Sequence, residues 1–183
     1  TLSLHDALPI CTAPYTFTYT VNGGAAQTVV SSGNNATVSQ FTSSAGIYTY
    51  SLVSVKDASS TLCSNAQSGT AVITVNPLPT ATIGGTITVC QNSTSPDITF
   101  TGSNGTAPYT FTYTINGGSA QTVVSNGNIA TISQATTTAG TFIYSLVSVK
   151  DGSITQCSNV VNGQSATVTV NQVISNNSIT ADQ

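Results

Sequence analysis

Arginine, glutamate, methionine and tryptophan are missing from this 183-residue chain, and only 4% of its residues are charged, against roughly a quarter in an average soluble domain. The basic side chains are Lys56 and Lys150, and the acids are Asp6, Asp57, Asp97, Asp151 and Asp182. Two lysines cannot displace the counterions of a phosphate backbone, which argues against nucleic acid as a partner. Proton-transfer chemistry needs titratable groups held together, and few are present to be gathered. The chain is therefore expected to be no enzyme and to carry no cofactor. No apolar run approaches the roughly 18 residues that a membrane helix needs, so no membrane insertion is expected. With no methionine at position 1, the chain reads as a fragment or a mature segment.

What the chain does contain is Thr, Ser, Asn, Gly and Val, with Ile, Phe and Tyr in alternation, which is strand composition. It also contains itself. APYTFTYT occurs at 13–20 and again at 107–114, and SLVSVKD at 51–57 and again at 145–151. Both pairs are offset by 94, and residues 11–70 match 105–164 at 41 of 60 positions without a gap. A one-residue insertion then carries AVITVN at 71–76 onto ATVTVN at 166–171. Self-similarity of this kind marks a tandem duplication. One full copy runs over 77–171, close to the ~100 residues of an immunoglobulin-like sandwich. Residues 11–76 are then expected to be a first copy truncated at its N-terminus, and 172–183 the start of a third.

Strands can be assigned within the full copy. TATIG (80–84) and TITVC (86–90) are short edge candidates, followed by DITFTG (97–102) and PYTFTYTI (108–115). Asn116-Gly117-Gly118 is a hairpin turn. QTVVS, IATIS, the long GTFIYSLVSVK (140–150) and SATVTVN follow. Alternation places Tyr109, Phe111, Tyr113 and Ile115 on the core face, with Thr110, Thr112 and Thr114 opposite. In the long strand Phe142, Tyr144 and Leu146 keep step until Ser148 breaks it, which predicts a bulge near Val147. No helical periodicity occurs in the repeat. The fold class read from these features is all-β, two sheets packed as a sandwich.

AGTFIYSLVSVKDGS (139–153) resembles the G-x-Y-x-V-x-L-x-V-x-D-x-x-G ending of PKD-type domains. Over residues 12–171 the chain is similar to the PKD-like, Ig-like tandem repeats of large surface and secreted proteins of Bacteroidota. The W-D-F-G-D-G signature of standard PKD domains is replaced by YTINGG (113–118), which favours the divergent PKD-like group. The resemblance implies tandem Ig-like sandwich repeats in a long array, an extracellular or cell-surface location, and export by the type IX system. It implies a non-catalytic spacer or stalk in a gliding-motility- or adhesion-associated protein, whose partners are neighbouring repeats. The alternative is a module that binds a surface glycan or protein through its loops.

Cys90 and Cys157 lie 67 residues apart in the full copy. For an exported sandwich the expected state is a disulfide between them, worth roughly 4 kcal/mol in the chain-entropy model; two free buried thiols are the competing state. Cys63 matches Cys157, but the position matching Cys90 falls before residue 1, so Cys63 is expected to be unpaired. Neither CxxC spacing nor usable histidines support a zinc site, and no base stands ready for thiol catalysis.

Other features have ordinary explanations. Lys56-Asp57 and Lys150-Asp151 could signal an isopeptide bond, which would need a buried acid, with Asp97 alone available in the second copy; a solvated strand end is the expectation. The linker 76–79 has no carboxylate for interdomain calcium. The Thr arrays are too short for ice binding. Tyr15, Tyr109 and Phe41 could form a sugar platform if exposed, but alternation turns both tyrosines inward.

The opening TLSLHDALPI matches nothing else in the chain and holds its only histidine, His5, beside Asp6. It lacks the basic region and long apolar stretch of a signal peptide, and no nucleophile accompanies the pair. It translates from ACT CTT TCC CTA CAC GAC GCT CTT CCG ATC T, which looks like a common sequencing adapter. Residues 1–10 are therefore expected to be an artefact. The leftover T, replacing the first base of a GGY glycine codon, explains why Cys11 stands where the second copy has Gly105.

Overall fold

The computed structural model describes residues 11–174. The chain divides into two compact units, Thr1–Asn76 and Pro77–Gln183, and all regular structure among the described residues is β-strand. The readings placed on His5, Asp6 and the opening segment lie outside the described residues. So does most of the stretch read as the start of a third copy; its described part, 172–174, is irregular.

Unit 1 contains β1 (Thr16–Val21), β2 (Gln27–Val30), β3 (Gly46–Lys56), β4 (Ser64–Ala66) and β5 (Thr70–Val75). Together they form one antiparallel sheet in the order β2-β1-β3-β4, with β5 also on β3. Unit 2 contains β6 (Thr80–Gly84), β7 (Ile87–Cys90), β8 (Asp97–Ser103), β9 (Thr110–Ile115) and β10 (Gln121–Val124). It continues with β11 (Ile129–Ser133), β12 (Gly140–Lys150), β13 (Ser158–Val160) and β14 (Ser165–Asn171). Here a six-stranded sheet, β10-β9-β12-β14-β7 with β13 on β12, is joined by a three-stranded sheet, β11-β8-β6.

The two sheets of unit 2 share one core. Alternation on β9 buries Phe111 and Tyr113, and β12 adds Tyr144, Leu146 and Val149. From the smaller sheet come Ala81, Ile98, Phe100 and Ala130. The Phe100 ring lies 5.6 Å from that of Phe111 and 5.1 Å from that of Tyr113, centroid to centroid, within the range of favourable aromatic pairs. This is a sandwich-like arrangement in which each sheet supplies the apolar half that the other needs.

The bulge falls where the broken alternation on the long strand places it. Pairing of β12 with β9 shifts between Leu146 and Ser148, which lets Leu146 and Val149 both face the core. It also explains β13, which alternation does not reveal. β12 pairs with β14 from Gly140 to Ser145, then beyond the bulge with β13 from Ser148 to Lys150. The hairpin turn has Asn116 at φ 50° and Gly117 at φ 69°, the left-handed pair of a type I′ turn. β7 and β9 are slightly shorter than their alternation suggests, starting at Ile87 and Thr110.

The register fixes which loops share an end. Asn171 at the end of β14 lies beside Cys90 at the end of β7, in a parallel pair, next to Gly140, which opens β12. Pro79, just before β6, lies at the other end: its carbonyl accepts a hydrogen bond from Asn159 Nδ2 at 3.0 Å. Unit 2 is thus entered at one end of its long strand and left at the other.

Candidate functional site

The sequence places the expected disulfide on Cys90 and Cys157, and the structure corrects this. All four cysteines are free thiols. Cys90 sits at the Gly140 end of β12 through its register with Asn171. Cys157 sits at the Lys150 end, its carbonyl accepting from Asp151 N at 3.0 Å. The eleven-residue strand between them spans roughly 33 Å at ~3.3 Å per residue, and a disulfide requires Cα atoms within about 7 Å. Sequence separation reveals that the two residues are distant along the chain, not which end of the sandwich each occupies. The Cys157 thiol instead lies 3.4 Å from Thr155 Oγ1, as Cys63 lies 3.3 Å from Thr61 Oγ1.

The same register separates the isopeptide candidates. Asp97 opens β8 opposite Ser133, whereas Lys150 closes β12 at the far end, where its ammonium donates to Gln156 Oε1 at 3.4 Å. Tyr109 is buried, as alternation requires, and its hydroxyl donates to the Gly105 carbonyl at 2.8 Å. Tyr15 is half-buried, and Phe41 is exposed.

One polar site in unit 2 is tightly built. Asp151 is buried. Its carboxylate accepts from Ser153 Oγ at 2.8 Å, Thr106 N at 3.2 Å and Ser153 N at 3.4 Å. Burial by itself works against the charge, but these donors and the Cys157 backbone outweigh it and hold the carboxyl below the usual range. The opposite holds for Tyr144, where burial and the neighbouring Tyr113 push the phenol up; its hydroxyl donates to Gln134 Oε1. Asp151 ties the strand end to the 105–106 loop, a structural task. Among the described residues, no three His, Cys, Asp or Glu side chains are grouped as a metal site would require.

The feature with a surface to offer is in unit 1. Phe17 and Tyr19 on β1, Tyr50 and Leu52 on β3, and Ala71 and Ile73 on β5 line a hollow of about 540 Å³. These are the counterparts, at offsets of 94 and 95, of Phe111, Tyr113, Tyr144, Leu146, Ala166 and Val168. In unit 2 those six are buried beneath β6, β8 and β11. In unit 1 no described strand covers the face, and its residues are half-buried or exposed. A second hollow of about 270 Å³ is lined by Cys11, Tyr15, Val55, Asp57, Cys63 and Asn65, among others. Alternation identifies this face as apolar; it gives no sign that the face is open.

The architecture places the chain among all-β proteins with sandwich-like packing. No protein-family model matches the chain, and comparison with curated proteins finds no significant match. No helix among the described residues is long and apolar enough to cross a membrane.

Proposed function

We infer that the chain is a non-catalytic spacer: Ig-like, PKD-like repeats in tandem within a large extracellular or cell-surface, adhesin-like protein of the Bacteroidota type. The observation that carries this reading is the placement of the ends of unit 2. Pro79 enters at the Asp151 end and Asn171 leaves at the Cys90 end, so each copy adds its long dimension to an array. The 41 identities in 60 positions between residues 11–70 and 105–164 support the same reading. In a spacer the partners of each repeat are its neighbours in the chain.

The test is small-angle scattering on proteins carrying two, three and four copies of 77–171 in tandem. The maximum dimension is expected to grow by roughly 33 Å per copy, the length of an eleven-residue strand at ~3.3 Å per residue. Copies that fold back into a compact particle would refute the spacer reading.

A further inference from the structure

We propose that Asn162 is a site of spontaneous covalent modification: in the folded chain it loses its side-chain amide and becomes aspartate or isoaspartate, ahead of every other Asn-Gly pair. The proposal does not depend on the spacer reading.

The chain has five Asn-Gly pairs, beginning at Asn22, Asn104, Asn116, Asn126 and Asn162. Glycine has no Cβ, so its main-chain nitrogen is open to the side chain that precedes it. That nitrogen attacks the Asn Cγ and gives up its proton to solvent, the Cγ–Nδ2 bond breaks, and ammonia leaves. Water then opens the cyclic imide at either carbonyl. One product is aspartate; the other is isoaspartate, in which the side-chain carbon has joined the main chain. Both carry a new negative charge. Ring closure requires the Asn side chain and the following peptide unit to turn towards each other, so hydrogen bonds on either one retard it.

Four of the five pairs are held in this way. Asn116 Oδ1 accepts from Ile143 N at 2.7 Å, and its Nδ2 donates to Thr141 O at 3.1 Å. Asn22 is clamped likewise, by Thr49 N at 2.7 Å and Ile47 O at 3.1 Å. Asn104 Nδ2 donates to Thr80 Oγ1 at 3.2 Å, and the attacking nitrogen of Gly105 donates to the Tyr109 hydroxyl at 3.1 Å. At Asn126 the backbone is fixed instead. Asn126 N donates to Ile129 O at 2.9 Å, and Ser125 Oγ donates to Gly127 O at 2.7 Å.

Asn162 differs from these. It lies exposed between β13 and β14, followed by Gly163 at φ 72°. The loop is tied on either side at the bulge of β12, where Val161 N donates to Val147 O at 2.8 Å and Leu146 N donates to Gln164 O at 3.0 Å. Between these ties, neither the Asn162 side chain nor the Gly163 nitrogen is hydrogen-bonded to a described residue. The same loop accommodates a change in main-chain length. In unit 1 the equivalent groups of β3, Val53 O and Leu52 N, are bound by Gln67 N and Gly69 O at 2.9 Å each. One residue, Ser68, there spans what Asn162 and Gly163 span in unit 2. The extra main-chain carbon of isoaspartate is a smaller change than that residue, and exposed loops are where such changes are tolerated.

The experiment incubates the full chain in mildly alkaline buffer, folded in one arm and unfolded in guanidinium chloride in the other. Digests are mapped by mass spectrometry, with electron-transfer fragmentation to separate aspartate from isoaspartate. In the unfolded arm the five Asn-Gly pairs should react at similar rates. In the folded arm Asn162 should keep close to that rate, with Asn104 and Asn126 slower. Asn22 and Asn116 should react roughly 30-fold more slowly, the factor for opening two ordinary hydrogen bonds. The proposal is overturned if another pair outpaces Asn162 in the folded chain, if the folded and unfolded profiles coincide, or if Asn162→Gln leaves ammonia release unchanged. Folded chain modified at Asn162 should melt in unit 2 as the unmodified chain does. A lowered midpoint would overturn the claim that the loop accommodates isoaspartate.

Discussion

Leu52 and Leu146 hold the same position in the segment SLVSVKD, which occurs at 51–57 and at 145–151, but their surroundings differ. Leu146 is 3% exposed in the core of unit 2, whereas Leu52 is half-buried in the open hollow of unit 1. Leu146→Ala removes three methyl-sized groups from a closed core and leaves a cavity, costing about 2–5 kcal/mol. Leu52→Ala removes the same atoms from a face that water already reaches. It forfeits only part of the ~1.5–3 kcal/mol of full burial and creates no cavity, so about 1 kcal/mol is expected. For a domain near 100 residues each kcal/mol moves the midpoint by roughly 4–8 °C. The melting transition of unit 2 should therefore fall by about 8–40 °C in Leu146→Ala, and that of unit 1 by about 8 °C or less in Leu52→Ala. Calorimetry with hydrogen exchange to assign the two transitions is the assay. Equal shifts would refute the claim that the unit 1 face is open.

Three further outcomes are expected. Cys90→Ser and Cys157→Ser should each leave non-reduced melting of unit 2 unchanged, and peptide mapping of the native protein should find no bond between them. The Asp151 carboxyl titrates below its usual value near ~3.9, so its contribution is complete above that pH and is lost as pH falls through the folded value. Urea midpoints between pH 5 and pH 2 should accordingly fall less steeply in Asp151→Asn; an unchanged slope would remove Asp151 from the account. Gly102→Ala would place a Cβ 2.5 Å from the Tyr109 ring, which its bond to Gly105 holds in place. A cost of about 1–3 kcal/mol is expected from such overpacking, read as a lower urea midpoint for unit 2.

Local features were legible from the sequence because they have local causes. Period-two alternation put Tyr109, Phe111 and Tyr113 inward, and the phase break at Ser148 located the bulge. Asn116-Gly117 specified its turn because few residue pairs tolerate two left-handed conformations. Non-local features were not legible. Ser158–Val160 is a strand only because the bulge leaves part of β12 without β14. The parallel pairing of β7 with β14 joins residues about 80 apart, and nothing in either strand announces the other. The cysteines were misassigned for the same reason, since end-to-end placement depends on the whole strand order. Alternation alone did not distinguish the open face of unit 1 from the closed one of unit 2, because the two carry nearly the same residues.

The parallel pair of β7 and β14 has a consequence for a chain under tension. A pull through Pro77 and Asn171 draws β7 and β14 in opposite directions along their own axes, because the two strands point the same way while their outer connections leave at opposite ends. Their hydrogen bonds are then strained all together and cannot open one at a time. β6 is loaded in the same sense against β8, since Thr80 lies opposite Ser103 at the end where the chain enters. Resistance to stretching would thus come from backbone geometry, which explains how a unit with almost no charge and no disulfide could still transmit force.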